Sequence, residues 1–219
     1  MNFLNQILAF PLQTLPFIII SLVIAFSVHE FAHAFVAYKF GDNTAARQGR
    51  LTLNPAVHLD PIGTLILLLF GFGWARPVPV NRYNFAKPRL AGVLVSVAGP
   101  LSNLLLAAIG ALLLHLLMLI SLPSAIGFFL YELCIWFSYL NIVLFVFNLL
   151  PIPPLDGYRI IEDLVPNNVR AKMSQYEVYG MILFLVLVIV DPLYNITIGP
   201  IFHQVIPFFL KLLGIDFFI

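Results

Sequence analysis

The chain has 219 residues, of which 61% are hydrophobic and only 10% are charged. Because an ordinary globular domain carries about 25% charged residues, this composition excludes a water-soluble globular protein and indicates an integral membrane protein in a lipid bilayer. The net charge of +1 gives no basis for nucleic-acid binding.

The first long apolar run covers residues 15–38 and is long enough to cross a hydrocarbon core of about 30 Å. We interpret residues 1–12 as an interfacial lead-in rather than a cleavable signal peptide, because they lack a positively charged start. The ionisable residues of the run are His29, Glu30 and His33. Such groups inside a membrane span are costly and need a compensating partner.

The segment between the first and second spans combines turns with one short apolar piece. Residues 41–60 favour a turn and a short hairpin around Leu51 and Leu53. Residues 61–73 are apolar but too short to cross a bilayer, which predicts a re-entrant or packed segment. Basic residues flank this piece on both sides, so the positive-inside rule places both flanks in the cytoplasm. These residues are Lys39, Arg47, Arg50, Arg76, Arg82, Lys87 and Arg89.

Three further apolar stretches predict spans at residues 90–120, 126–150 and 178–194. The last stretch of the chain, 198–219, fits either an interfacial helix or a fifth crossing. The predicted fold class is an all-α polytopic membrane protein with four to five transmembrane helices, plus a re-entrant or short β segment between the first and second spans. We expect residues 1–219 to form one membrane-embedded domain, with a catalytic core at about 15–160 and carboxyl-terminal helices at 176–219.

The sequence His29-Glu30-Phe31-Ala32-His33 places two histidines four residues apart on the first span. On an α-helix such side chains lie on one face, so both imidazoles can bind one metal ion. Glu30 lies about 100° further round the helix, close enough to act on a water at the metal. H-E-x-x-H is the signature of zinc metalloproteases, in which the glutamate is the general base.

A catalytic zinc takes three protein ligands, so the chain must supply one more. Asp156 is the strongest candidate, because prolines break the third span just before it, at the depth of the histidines. Asp156 also suits a turn or a helix cap. The competing candidates are His58 and Asp60, which equally suit capping, and Glu162 and Asp163, which lie in a polar stretch.

Further motifs follow in an order that resembles a known family. Gly-Pro-Leu-Ser-Asn occupies 99–103 in a middle span, and the stretch from Asn148 to Gly157 reads Asn-x-x-Pro…Leu-Asp-Gly. With H-E-x-x-H, these motifs look like the site-2 protease family of intramembrane zinc metalloproteases. Asn-Pro…His-Leu-Asp-Pro-Ile-Gly at 54–63 and Gly-Trp-Ala-Arg-Pro at 73–77 resemble its compact prokaryotic branch, which has no PDZ domain.

The resemblance implies His29, His33 and Asp156 as ligands of one Zn²⁺ ion and Glu30 as the catalytic base. It implies a zinc endopeptidase that hydrolyses peptide bonds within or near transmembrane segments of single-span membrane proteins, in regulated intramembrane proteolysis. The enzyme is expected in the cell membrane as a multi-pass protein. Its active site should face the cytoplasm, in agreement with the positions of the basic residues.

The resemblance also suggests two asparagines, Asn148 and Asn103, as polar groups near the substrate or the oxyanion. The residues themselves leave both roles open. Asn148 suits a donor to a developing oxyanion and an interhelical hydrogen bond equally well. Asn103 favours a structural role, because Gly99 and Ser102 beside it also suit close helix packing.

Other functions remain to be weighed against proteolysis. A membrane metal-ion transporter can carry His and Glu at similar spacing, but it needs polar sites through the membrane and often shows repeated halves. A catalytically inactive relative acting as a membrane chaperone would lack Glu30 or a ligand, and none is missing.

Segment 47–80 is expected to pair with the unwound substrate as an added strand. The sequence leaves a homo-oligomer open.

Overall fold

A computed structural model describes residues 8–71 and 73–215. Its α-helices, numbered in chain order, are α1 (Leu15–Lys39), α2 (Thr44–Arg47), α3 (Pro61–Phe70), α4 (Pro88–Met118), α5 (Ser124–Asn148), α6 (Asp156–Leu164), α7 (Asn167–Ile189), α8 (Asp191–Thr197) and α9 (Ile206–Leu212). Short 3-10 turns lie at Pro55–Val57 and Arg82–Asn84, and a π-helical turn at Ile201–Val205 leads into α9.

Within these ranges, five helical stretches are long and apolar enough to cross a membrane. Four are α1, α4, α5 and α7, and the fifth runs from Asp191 to Leu212. The predicted all-α polytopic fold is therefore confirmed. By length and composition the carboxyl-terminal stretch fits a fifth crossing. Residues 1–7 and 216–219, which the predictions for the two ends of the chain include, lie outside the described residues.

The three long helices α1, α4 and α5 form the centre of the bundle, and small residues let them approach closely. A Cβ atom added at Gly110 of α4 would lie 2.5 Å from the Ser138 Oγ of α5. Transmembrane helices associate through such close backbone packing, since the lipid leaves no hydrophobic driving force between them. The buried cluster between α4 and α5 continues to Ile206 and Leu210 of α9.

In the loop between α1 and α4, the described residues do not form the predicted hairpin. Asn54 and Asp60 accept hydrogen bonds from nearby backbone N–H groups and so begin a 3-10 turn and α3. Such local caps satisfy backbone groups that a hairpin would have paired. Among the described residues, the β-type contact in this loop is one isolated antiparallel bridge, between Leu59 and Ala75. The predicted short β segment is therefore not confirmed.

Helix α3 corresponds to the short apolar piece that the sequence predicts to be re-entrant. It has ten residues, too few to cross a bilayer. The Arg76 N–H donates to the His58 carbonyl oxygen at 2.7 Å, so the two ends of the piece lie side by side. Side chains such as Phe70, 75% exposed, lie on its surface. The chain before α3 and the chain after it therefore lie next to each other, as a re-entrant segment requires. Insertion of α3 into the membrane stays a prediction.

The buried carboxylate of Asp42 ties the turn after α1 to the chain that leads into α4. It accepts hydrogen bonds from the backbone and hydroxyl of Thr44, the Asn81 N–H and the Asn84 side chain. Burial by itself raises the pKa of Asp42, but these hydrogen bonds outweigh burial and hold the pKa below its ordinary value.

We expect Asp42→Ala to lower the free energy of unfolding by about 3 kcal/mol at neutral pH, because it leaves several buried donors without an acceptor. Since the folded-state pKa is depressed, the wild-type stabilisation is present above about pH 4 and lost as the pH falls through the folded pKa. Thermal unfolding in detergent at several pH values measures both effects. Asp60→Ala, which removes a single cap, serves as control and should cost about 1 kcal/mol. An equal loss of unfolding free energy in the two variants would contradict the role of Asp42 in joining these two segments.

Candidate active site

The two histidines of α1 present their Nε2 atoms to one point inside the bundle. His29 and His33 are both buried, and their Nε2 atoms lie 3.0 Å apart. Their common orientation follows from the helical repeat, since α1 continues without interruption to Lys39 and residues four apart share one face. The predicted pairing of the two imidazoles on one helix face is therefore present in the structure.

The other ring nitrogens of the histidines contact α4. His29 Nδ1 lies 2.6 Å from the Asn103 Oδ1, and His33 Nδ1 lies 2.7 Å from the Val95 carbonyl oxygen. Both partners are acceptors, so each Nδ1 carries the proton and donates, and each Nε2 keeps its lone pair. Helix α4 thereby sets the tautomer and orientation that metal ligation requires.

Close contact between α1 and α4 depends on Gly99. A Cβ atom added there would lie 2.4 Å from His33 Nε2 and 2.7 Å from His29 Cε1. Distances below 3.0 Å leave no room for a methyl group unless the rings move. Gly99 therefore forms the floor on which the two imidazoles lie, a role the sequence analysis did not assign beyond noting close helix packing.

Asp156 completes the cluster from the other side. It is the first residue of α6, and its Oδ2 lies 3.2 Å from His29 Nε2 and 3.3 Å from His33 Nε2. The tight turn before it requires glycine at 157, where a Cβ atom would lie 2.2 Å from the Leu149 carbonyl oxygen. Among the candidates for a third ligand, Asp156 is the one that the structure brings to the histidines.

The donor set fits a zinc ion. The atoms His29 Nε2, His33 Nε2 and Asp156 Oδ2 form a triangle with sides of 3.0, 3.2 and 3.3 Å. Tetrahedral zinc with bonds of about 2.0–2.1 Å separates its ligand atoms by about 3.3 Å. Asp156 Oδ2 is buried without a hydrogen-bond partner among the described residues. An orphaned carboxylate oxygen facing two imidazole lone pairs is chemically suited to a cation.

Glu30 lies beside this cluster without belonging to it. Its side chain is buried, and its Oε2 accepts a hydrogen bond of 2.8 Å from the backbone N–H of Val78. Val78 belongs to the extended chain that follows α3, which the sequence analysis did not connect with Glu30. The carboxylate is thus held in one orientation next to the His and Asp donors.

A cavity of about 540 Å³ lies beside the cluster. Glu30, both histidines and Asp156 line it together with mostly apolar side chains from α1, α3, α5 and the extended chain at 74–80. Such a cavity has the size and character of a site for a largely apolar ligand.

The remaining predicted residues have other partners. His58 Nε2 contacts the Thr52 carbonyl oxygen at 2.7 Å, and Asp60 caps α3. Glu162 and Asp163 form ion pairs with arginines. In the structure, these four competing candidates for the third ligand therefore contact other groups and not the two histidines.

The two predicted asparagines differ in position. Asn148 lines the cavity and donates to the Leu144 carbonyl oxygen of its own helix at 2.9 Å. Asn103 is fully buried, and its amide is engaged by His29 and by Asn141 Oδ1 at 3.0 Å. The Asn103 amide is thus used in contacts with α1 and α5, and a substrate role for it stays a prediction.

Two buried imidazoles and a carboxylate, converging beside a glutamate within a bundle of apolar helices, are the features of a membrane-embedded metalloprotease. The chain belongs to peptidase family M50. The sequence model of that family, which is described as "Peptidase family M50", matches residues 123–190. The Bacillus subtilis (strain 168) protein YwhC, whose name describes it as a zinc metalloprotease, is 57% identical over 206 residues, covering 91% of this chain and 92% of that protein.

More distant relatives carry the same description in their names. Rip2 of Mycolicibacterium smegmatis is 33% identical over 171 residues, covering 76% of this chain and 64% of the relative. MJ0611 of Methanocaldococcus jannaschii is 32% identical over 160 residues, covering 71% of this chain and 76% of the relative. No solved structure gives a significant match.

We expect Gly99→Ala to weaken zinc binding by at least about tenfold, because the added methyl group displaces both imidazoles. Metal analysis of the purified protein during titration with a chelator measures the affinity. Gly127→Ala is the matched control on α5, where the added Cβ would make an ordinary contact of 3.5 Å with Leu122. Wild-type affinity in Gly99→Ala would show that the glycine is not required.

We expect Asn103→Leu to lower zinc affinity by about 10- to 100-fold, because His29 Nδ1 loses the acceptor that sets its tautomer. Asn148→Leu is the control with the same chemical change. It should bind zinc like the wild type, because the Asn148 amide donates to the Leu144 carbonyl oxygen and not to a histidine or to Asp156. The same chelator titration applies to both. Equal zinc affinities for the two variants would contradict the role of Asn103.

Proposed function

We propose that this protein is an intramembrane zinc metalloprotease in which His29, His33 and Asp156 hold the ion and Glu30 is the catalytic base. The observation that carries this proposal is the convergence of three metal-ligating atoms on one point beside a held carboxylate, inside an apolar bundle. Histidine pairs with a carboxylate are a donor set of catalytic zinc sites, which leave one position open.

The chemistry divides between the ion and Glu30. When bound, zinc supplies Lewis acidity that makes water more acidic and polarises a peptide carbonyl. Glu30 takes the proton from the attacking water and delivers it to the leaving amine, as a general base and then a general acid. The hydrogen bond from Val78 keeps one carboxylate oxygen fixed, so the other remains for this proton transfer.

We propose single-span membrane proteins as substrates. The cavity beside Glu30 is lined mainly by apolar side chains, which suits a transmembrane segment better than a polar peptide. A substrate helix must unwind before its carbonyl groups are accessible, since the helix hydrogen-bonds them internally. Asn148 lines the same cavity, and we propose that it contacts the unwound substrate or the developing oxyanion.

Docking of that substrate on the extended chain at 74–80 has one restriction. Pro77 and Pro79 have no N–H group, and the N–H of Val78 is held by Glu30. A substrate strand that pairs here would therefore bond to backbone groups outside 77–79, or to carbonyl oxygens alone.

We also propose that the active site faces the cytoplasm. His33 lies within two turns of Lys39, where α1 ends. The loops on that side carry most of the basic residues, as the positive-inside rule requires of cytoplasmic loops.

The transporter alternative has less support. Within the described ranges, one group of His, Cys, Asp and Glu side chains can hold a metal ion, and it is the cluster above. A transport path needs several polar sites through the membrane.

Zinc content together with cleavage tests the proposal. We expect Glu30→Gln to keep about one zinc per chain and to lose at least about 100-fold in cleavage rate of a model single-span substrate, because the base is absent. Asp156→Ala should lose both zinc and cleavage, because a ligand is absent. An unstructured soluble protein, assayed in parallel, tests the proposed preference for membrane substrates.

Two results would overturn the proposal. Cleavage by Glu30→Gln at the wild-type rate would exclude Glu30 as the base, and wild-type protein without bound zinc would exclude the metal site.

A further inference from the structure

One peptide unit links the proposed base to a buried arginine. The trans peptide between Pro77 and Val78 directs its N–H to Glu30 Oε2, at 2.8 Å, and its carbonyl oxygen to Arg50 Nη2, at 3.0 Å. In a trans peptide the C=O and N–H groups point in opposite directions. The unit therefore lies between a guanidinium and a carboxylate, with each end of its dipole next to the opposite charge.

Arg50 is placed to hold this unit rather than to interact with solvent. It is only 6% exposed, and its Nη2 also donates to the Arg76 carbonyl oxygen at 2.5 Å. No carboxylate lies within ion-pair distance of Arg50 in the described part of the chain. A buried cation without a direct counter-ion is costly, so its contacts with two successive carbonyl groups have to offset that cost.

The charge of Glu30 reaches Arg50 through space as well. Burial lowers the pKa of Arg50 and the nearby charge of Arg76 lowers it further, whereas Glu30 acts in the opposite direction. The guanidinium nevertheless remains protonated, because arginine does not deprotonate in proteins. Arg50, the Pro77–Val78 peptide and Glu30 thus form one polarised chain, in which each hydrogen bond strengthens the next.

The prolines on either side make this arrangement specific to Val78. Pro77 and Pro79 lack N–H groups, so Val78 carries the single amide donor within 77–79. Each proline also disfavours a helical conformation at the residue before it, which is Arg76 for Pro77 and Val78 for Pro79. The orientation of that donor is then set by what holds the Pro77 carbonyl oxygen, which is Arg50.

We propose that Arg50 is a positioning residue for catalysis: it orients the Pro77–Val78 peptide so that the Val78 N–H holds the Glu30 carboxylate in its working orientation. This inference rests on the proposed role of Glu30 as the base. In the described part of the chain, Arg50 is not among the residues that line the cavity, and its hydrogen bonds go to the Arg76 and Pro77 carbonyl oxygens rather than to the proposed metal ligands. Its loss should therefore lower kcat while leaving zinc binding and KM in place.

The test uses the full-length, zinc-loaded protein in detergent micelles and compares Arg50→Gln, Arg50→Lys and Arg47→Gln. Arg47 is exposed and three residues away, so its variant is a control with the same change of charge. We expect Arg50→Gln to keep its zinc, to lose about 10- to 100-fold in kcat and to change KM by less than about twofold. Arg50→Lys retains a charged donor and should recover part of the loss, and Arg47→Gln should match the wild type.

Amide hydrogen exchange, followed by mass spectrometry of peptides spanning 74–81, supplies a readout that does not depend on activity. We expect exchange in this segment to be at least about tenfold faster in Arg50→Gln than in the wild type or in Arg47→Gln. Glu30→Ala, which removes the acceptor of the Val78 N–H, should accelerate exchange in the same segment.

A second variant keeps the proposal testable if Arg50→Gln folds poorly. Val78→Pro deletes the N–H donor and leaves Arg50 intact, and it should lower kcat with zinc retained. An unchanged kcat in Val78→Pro would overturn the proposal. Where Arg50→Gln does fold, the double variant Arg50→Gln/Val78→Pro should be no slower than Val78→Pro alone, because Arg50 acts through the donor that Val78→Pro removes. Additive losses in kcat would overturn the proposal.

Other results would overturn it as well. An unchanged kcat in Arg50→Gln would exclude the positioning role, a raised KM with unchanged kcat would assign Arg50 to substrate docking, and loss of zinc would assign it to the metal site. Absence of cleavage by the wild type would instead overturn the proposed protease function. The exchange measurement distinguishes these failures, because the contact between Val78 and Glu30 is then tested without any turnover.

Discussion

The architecture depends on burying two imidazoles between α1 and α4 with every ring nitrogen accounted for. In an apolar interior an unpaired polar atom costs more than in water, so each histidine needs a partner on both sides. Helix α4 supplies the Nδ1 partners through Asn103 and the Val95 carbonyl oxygen. Helix α6 brings the Asp156 carboxylate beside the two Nε2 lone pairs, and a bound cation would be the common partner of all three acceptors. Gly99 makes this possible, because only a residue without a Cβ lets α4 pass so close to both rings.

A second constraint fixes α6, and with it Asp156. Asp163 of this helix is fully buried and lies 2.8 Å from an Arg82 nitrogen and 3.2 Å from an Arg170 nitrogen. Burial raises the pKa of Asp163, and the two arginines act against that rise. Such buried ion pairs contribute little net stability but impose a definite geometry, because breaking one strands the remaining charge. Arg82 belongs to the same stretch of chain as Val78, so the residues that support the proposed ligand Asp156 and those that support Glu30 lie on neighbouring segments.

Much of the fold followed from hydrophobic run lengths, because a bilayer accepts only helices of sufficient length and closed hydrogen bonding. The predictions for the loop after α1 were less successful. The hairpin around Leu51 and Leu53 is absent from the described residues, since side-chain caps at Asn54 and Asp60 compete with strand pairing. Helix α7 begins at Asn167, well before the predicted apolar span. Its first half is polar, and ion pairs with α6, such as Glu177 with Arg159, give its charged side chains partners.

The sequence by itself determined the membrane class, the His29–His33 pair and, through the proline break before it, Asp156 as the preferred third ligand. These features are local: they depend on helical periodicity, run length and chain breaks, which are written along the chain. Only the tertiary structure decided that Asn103 orients His29, that Gly99 lies under both imidazoles, and that Val78 and Arg50 engage Glu30. Those contacts join residues far apart in sequence, and their geometry arises from helix packing that no local pattern encodes.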